Sequence, residues 1–308
     1  MKKKMKKNKK IYDVRAINRM RCVSGIVMGS LIIAAALFAL VLNVANYYLD
    51  DVPEAGLGTF RMFTTLSNLL VAVAAFLIIS YQIDGLRKDN YHLPQWVVDL
   101  LYVGTVGVAV TFLVAATAIS AAQGFGVAMF GKSNVFMHTA IPVMAVVLFT
   151  FVNSDHNVRF AKTFLSLSPL FVYAAVYFVM AIAIGEERGG WRDVYGLNAF
   201  IPWPVTYLGM FLLSFGISTL LRVLHNARHA RRKRAIRDYY LYSDDFSGLS
   251  IEEAVAKLAK NPIPQPAYID VPLRIIEMLR ERYGCEESTA DLAKIYVDAC
   301  LCRKFCDS

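Results

Sequence analysis

An all-α, polytopic membrane protein with six transmembrane helices and a small cytoplasmic helical tail is the fold class this sequence predicts, and three observations predict it. Of the 308 residues 56% are hydrophobic and the mean hydropathy is +0.44, well above a soluble chain of this length. Apolar runs long enough to cross a bilayer recur near 22–47, 62–82, 95–120, 135–153, 164–185 and 202–224. Lysine and arginine gather at alternate ends of those runs. An even number of spans puts both termini on one side.

The amino-terminal segment 1–21 is basic, carrying Lys2, Lys3, Lys4, Lys6, Lys7, Lys9, Lys10, Arg15, Arg19 and Arg21. The run that follows is too long for a cleaved signal peptide and lacks a small-residue cleavage site, so it is expected to stay as an anchor. The loop after the second run holds Arg87 and Lys88, and that after the fourth holds Arg159 and Lys162. The sixth ends in Arg228-His229-Ala230-Arg231-Arg232-Lys233-Arg234, at the head of a basic juxtamembrane linker, 225–249. The alternate loops hold only Arg61, Lys132, Arg188 and Arg192, so both termini are expected in the cytoplasm. These basic flanks account for the net charge of +9. The partner they imply is the bilayer with its anionic headgroups, and no nucleic acid.

Beyond the 22–224 transmembrane domain, the region 250–308 has the composition of a soluble chain. Ser250-Ile251-Glu252-Glu253 reads as a capping box opening a short helix. Pro262, Pro264 and Pro266 make a stiff linker, and two helices are expected near 271–283 and 288–305, parted by Gly284. About 60 residues form only a marginal fold of their own. Cys285, Cys300, Cys302 and Cys306 all fall in this tail, and Cys22 at the cytoplasmic edge of the first run. No structural disulfide is expected there. Cys300-x-Cys302-x3-Cys306 lacks the usual metal-binding spacing and a nearby histidine, so neither metal nor cofactor is predicted.

Two polar clusters interrupt the apolar runs. Phe63-Thr64-Thr65-Leu66-Ser67-Asn68 opens the second, and Phe136-Met137-His138-Thr139-Ala140-Ile141-Pro142 opens the fourth. Both runs are expected to descend from the outside, so Thr64 and His138 share a level about one turn below the outer surface. Asn68 is four residues from Thr64 and three from Thr65 and can share a helix face with either. Pro142 removes the donor that His138's carbonyl would have received, which predicts a bend there.

A threonine, a histidine and an asparagine can together perform acyl transfer. The imidazole takes the hydroxyl proton, the alkoxide attacks an ester carbonyl, and an amide steadies the oxyanion. The commoner role of such residues in membrane helices is to bond the carbonyl four residues back or to hold helices together. Among the other polar residues, Asp99 sits near the inner end of the third run, where it is expected to snorkel or bond Tyr102. Tyr173, Tyr177 and Tyr207 are candidates for a cavity wall. Trp191, Tyr195 and Trp203 read as an outer aromatic belt, and Asp193 is a candidate orienter of His138.

Six spans, the Phe63–Leu70 segment and Met137-His138-Thr139-x-x-Pro142 are similar to the androgen-induced protein family of multispan membrane proteins, including its prokaryotic six-helix branch. Ser168-Pro169-Leu170-Phe171-x-Tyr173-x3-Tyr177 resembles it in outline too, and the likeness covers 45–224 and not the tail. The resemblance implies a membrane hydrolase of fatty acid esters of hydroxy fatty acids, with a threonine nucleophile and a histidine. The histidine matches His138. The threonine matches Thr64 or, shifted by one, Thr65, with Phe63 and Ser67-Asn68 favouring Thr64.

The expectation is therefore a lipid-ester hydrolase acting near the outer leaflet, with catalytic candidates Thr64, Thr65, Asn68 and His138. Its substrate is expected to be a lipid or amphiphilic small molecule whose chain lies among Phe63, Leu66, Phe136 and Ile141. The alternatives are a non-catalytic membrane scaffold, which would need neither Thr64 nor His138, and a small-molecule transporter. A transporter would show an internal repeat or several intramembrane charges, which this sequence does not. Oligomeric state is not legible.

Overall fold

The computed structural model describes residues 14–46, 56–88, 93–195 and 202–242, with Ser250 and Glu253. These residues form α1 (Val14–Asn46), α2 (Phe63–Lys88), α3 (Gln95–Val114, running on through Gln123), a short α4 (Phe125–Phe130), α5 (Val135–Val152), α6 (Ala161–Ile184) and α7 (Trp203–Tyr242). Six of them, all but α4, contain stretches long and apolar enough to cross a membrane. The chain is an integral, all-α membrane protein. The expected tail helices and the four tail cysteines lie outside the described residues, but the capping box at their head is formed. Glu253 N–H donates to Ser250 Oγ (3.2 Å) while Ser250 N–H donates to the Glu253 carboxylate (2.9 Å).

The chain divides into two compact units. One comprises 1–23, 82–92 and 227–308. Its described part holds buried Asn18, Gln82 and His229, and Arg232 Nη2 donates to Asn18 Oδ1 at 2.6 Å.

The other unit, 24–81 with 93–226, contains the apolar parts of the six spans. Its large side chains point largely outward: Leu31, Val73, Phe171 and Leu212 are about half exposed or more, as lipid-facing positions are. Its interior is built from small residues that let backbones approach, including Ala36, Ala74, Ala75 and Ala145, interleaved with Ile32, Ile78, Leu101 and Phe149. Polar contacts then pin the helices. Tyr102 Oη donates to the Ser218 carbonyl (2.8 Å), and the Ser218 and Ser166 hydroxyls bond at 2.7 Å. Buried His225 lies between the carbonyls of Phe149 and His156, its ring nitrogens 2.9 and 2.8 Å from them. Asn226 exchanges two bonds with the Val158 backbone.

Asp99 does not turn to Tyr102. It pairs with Lys162 (2.8 Å) and accepts from Gln95 Nε2 (2.9 Å), because a cation on α6 offers a buried carboxylate more than a phenol does.

The two intramembrane prolines are accommodated differently. Pro169 leaves the Leu165 carbonyl without its helical donor, and the Ser168 hydroxyl supplies one at 2.7 Å. Ahead of Pro142 the helix widens into a π turn over Val135–Ala140, a form the expected simple bend did not include.

Candidate functional site

α2 begins where a 3₁₀ turn, Gly56–Arg61, hands over to the helix, and its first turns carry the polar cluster on several faces at once. Thr64 is half-buried, Thr65 fully buried, and Leu66 exposed at 41%. Thr65 points inward to Thr59, hydroxyl to hydroxyl at 2.9 Å. Thr59 in turn accepts from Asn43 Nδ2 (3.2 Å), and Ser133 donates to Asn43 Oδ1. That chain of hydroxyls and amides ties α1, α2 and the head of α5 together. It engages Thr65 fully.

Asn68 spends both amide protons on carbonyls, those of Thr64 (2.7 Å) and Met137 (3.2 Å). Its Oδ1 is buried without a partner. The two carbonyls fix which end of the amide faces them, since a flipped group would set oxygen against oxygen. In this arrangement Asn68 acts as a strut between α2 and α5, and its N–H groups are not free to receive an oxyanion.

His138 is 6% exposed. Its Nδ1 donates to the Ala128 carbonyl at 2.7 Å, while Thr139 donates to Met129 O (2.8 Å) and Asn134 to Val127 O (3.0 Å). The head of α5 thus serves the last carbonyls of α4, which a helix end leaves unmatched. With Nδ1 carrying the proton, Nε2 is the acceptor of the neutral ring. His138 makes no hydrogen bond to Thr64 or Thr65. The structure links the two clusters through Asn68, one residue away from His138.

Thr64 instead faces a cavity of about 470 Å³ between α2, α3, α6 and α7. The size suits one small amphiphile. Its deeper wall is apolar, with Val110, Leu167, Leu170 and Phe211, and its other end collects Tyr173, Tyr177, Tyr195 and Tyr207. Of the four side chains expected around a lipid chain, only Phe63 lines this cavity. Leu66 is on an exposed face, Ile141 is sealed in the core, and Phe136 packs edge-on against Phe38. The cavity lies on a different side of α2 from α5.

Tyr195, expected in an outer aromatic belt, lies over the start of α2. Its phenol oxygen accepts from Phe63 N–H at 3.0 Å and is met by the Thr64 hydroxyl. Burial pushes this phenol above the ordinary tyrosine range. Asp193 does not reach His138; it accepts the Tyr177 hydroxyl at 2.8 Å, while Arg61 lies over the Trp191 ring. No sequence spacing links Tyr195 to Thr64, 131 positions away, and Asn43 and Thr59 carried a weaker signal as lone polar groups beside an apolar run. No cluster suited to a metal ion occurs among the described residues.

No family model, curated protein or solved structure matches this chain.

Proposed function

We propose that this membrane protein is a lipid-ester hydrolase that draws an amphiphile into the α2–α3–α6–α7 cavity, with Thr64 as nucleophile and His138 as base. The observation that carries the reading is the contrast between the two threonines. Thr64 faces the cavity where its hydroxyls gather, whereas Thr65 is buried and engaged by Thr59. The neutral His138, with Nδ1 occupied, offers Nε2 as the acceptor that a general base needs.

The reaction requires the Thr64 hydroxyl to leave Tyr195 and come within hydrogen-bond reach of Nε2. Because His138 is on α5 and not on the cavity wall, that contact needs α2 to shift against α5 as well as a turn about χ1. Oγ1 attacks the ester carbonyl carbon, its proton passes to Nε2, and the alcohol leaves with that proton. Water then attacks the acyl-threonine, again losing its proton to Nε2, and the acid is released as Thr64 recovers its own. Displacing Tyr195 frees Phe63 N–H at the helix start for the developing oxyanion. Asn68 is a positioning residue. The basic loops make the Thr64 end the outer one.

Hydrolysis of a long-chain ester by the purified protein in nanodiscs tests this. Thr64→Ala and His138→Ala should each remove nearly all activity, and the double variant should be hardly worse, since residues that act as a unit are non-additive. Thr65→Ala should keep most of it if folded. Equal activity in the wild type and both single variants would leave an amphiphile-binding, non-catalytic protein.

A further inference from the structure

The hydroxyls around the cavity have one proton each, and most of those protons are spent on the protein itself. Thr111 donates to Gly107 O (3.1 Å), Thr117 to Leu113 O (2.7 Å) and Ser214 to Met210 O (2.7 Å). Tyr173 donates to Arg61 O (2.9 Å), Tyr177 to Asp193 (2.8 Å) and Tyr207 to Ala174 O (3.0 Å). What these six groups present to an occupant is lone pairs. Thr206, Gln123 and the Tyr195 hydroxyl, whose oxygen accepts from Phe63 N–H and Thr64, remain as donors.

Among the described residues, the wall also holds no charged side chain. Asp, Glu, Lys, Arg and His are all missing from the residues that line it. An anionic head would therefore enter without a counter-charge and face mostly oxygen lone pairs, losing hydration that the few remaining donors do not replace. An ammonium would find acceptors and aromatic faces. It would still bury its charge away from a carboxylate, because Asp193 lies behind Tyr177 and off the wall.

We propose that the cavity selects uncharged, single-chain amphiphiles whose head donates hydrogen bonds, such as the glycerol monoester of a fatty acid, and rejects carboxylate and phosphate heads. This rests on the cavity being the amphiphile site, and it departs from the hydroxy-fatty-acid esters that the family resemblance implies, which carry a free carboxylate. The acyl chain occupies the Val110–Leu167–Phe211 end. The ester lies at Thr64, and the head hydroxyls donate to the tyrosine oxygens.

Binding of non-hydrolysable ethers to the full-length protein in nanodiscs separates this from the catalytic reading. The probes are a 1-O-alkylglycerol, its di-O-methyl derivative, and the fatty carboxylate and alkyl phosphate of equal chain length. Each head hydroxyl lost should weaken binding by about fivefold, the usual worth of one hydrogen bond. The two anions should bind more weakly than the alkylglycerol, and the carboxylate should recover as acidification converts it to a proton donor. Ala174→Phe and Ala118→Phe, from different helices of the wall, should each abolish alkylglycerol binding in monodisperse protein.

Equal or tighter binding of the carboxylate, or no loss on methylation, would overturn the proposal. If the ethers bind in the expected order while esters remain uncleaved, the hydrolase reading falls and the specificity stands. If no probe binds, both fall.

Discussion

Gly104 on α3 lies against α2 so closely that a methyl group there has no room. A Cβ at this position would sit 2.8 Å from Val71 Cγ2 and 3.2 Å from both Val71 Cα and N. Valine is stiff at χ1 and cannot swing its methyl away cheaply, and two of the three obstacles are backbone. Overpacking of this kind costs about 1–3 kcal/mol. Against it stands the gain of replacing glycine by alanine inside a helix, about 1 kcal/mol. The net effect of Gly104→Ala is therefore a loss.

Gly216 on α7 is the control, because a Cβ there meets nothing within 4 Å. Gly216→Ala should keep only the gain, about 0.5–1 kcal/mol. The two substitutions are chemically identical and should move the apparent Tm in opposite directions, measured by scanning fluorimetry at one fixed detergent concentration. A rise in Tm for Gly104→Ala equal to that for Gly216→Ala would refute the close α2–α3 packing, and with it the placement of Thr64 and Asn68 that α2 determines.

Tyr102→Phe should destabilise the protein by about 1–2 kcal/mol, since it removes the phenol that the Ser218 carbonyl receives in a fully buried setting. Ser218→Ala added to it should cost less than Ser218→Ala alone, because the two share one network; full additivity would show that they do not interact. Tyr195 gives a pH dependence. Its phenol is raised by burial, so the folded state holds the proton more tightly than the unfolded chain does. Its contribution is complete below the unfolded tyrosine value of about 10 and is lost as pH rises above that. Tm should fall in that alkaline range, and less steeply in Tyr195→Phe; identical slopes would argue against a buried neutral phenol over α2.

The six spans were legible because apolar runs of that length have one common solution in a bilayer, a helix that bonds its own backbone. Their ends were less so. The sixth run stops being apolar near 224, yet α7 continues to Tyr242 through Arg228, Arg231 and Arg234, since hydropathy measures where a helix leaves lipid and not where it ends. At the site, helical spacing allowed Asn68 a face in common with Thr64, yet its amide bonds only the Thr64 backbone carbonyl and reaches Met137, while the Thr64 side chain faces the cavity. Spacing is silent on which neighbour each face meets. Thr64, Thr65 and Leu66 differ by one residue apiece, about 100° around the helix, and they end in a cavity, a polar network and an exposed face respectively. Tyr195 reaches the cavity from a loop, where no period exists to read.

The π turns account for much of what remained hidden. Such a turn inserts a residue into the helical repeat and shifts every side chain beyond it around the axis, without any residue type that demands it. One, Ala115–Ile119, sends Thr117, Ala118 and Ile119 to the cavity wall. Another, Val135–Ala140, carries His138, and a third, Phe178–Ile184, follows directly on Tyr177. A strict 3.6-residue period from Val135 would assign faces past Pro142 that differ from those a widened turn gives, and the expected lipid-chain wall of Phe136 and Ile141 rested on depth alone, which is silent on faces. Three of the four π turns among the described residues thus fall beside residues that matter to the proposed chemistry, the fourth, Leu148–Val152, lying at the far end of α5, and a widened turn can aim a side chain that a regular one would bury elsewhere.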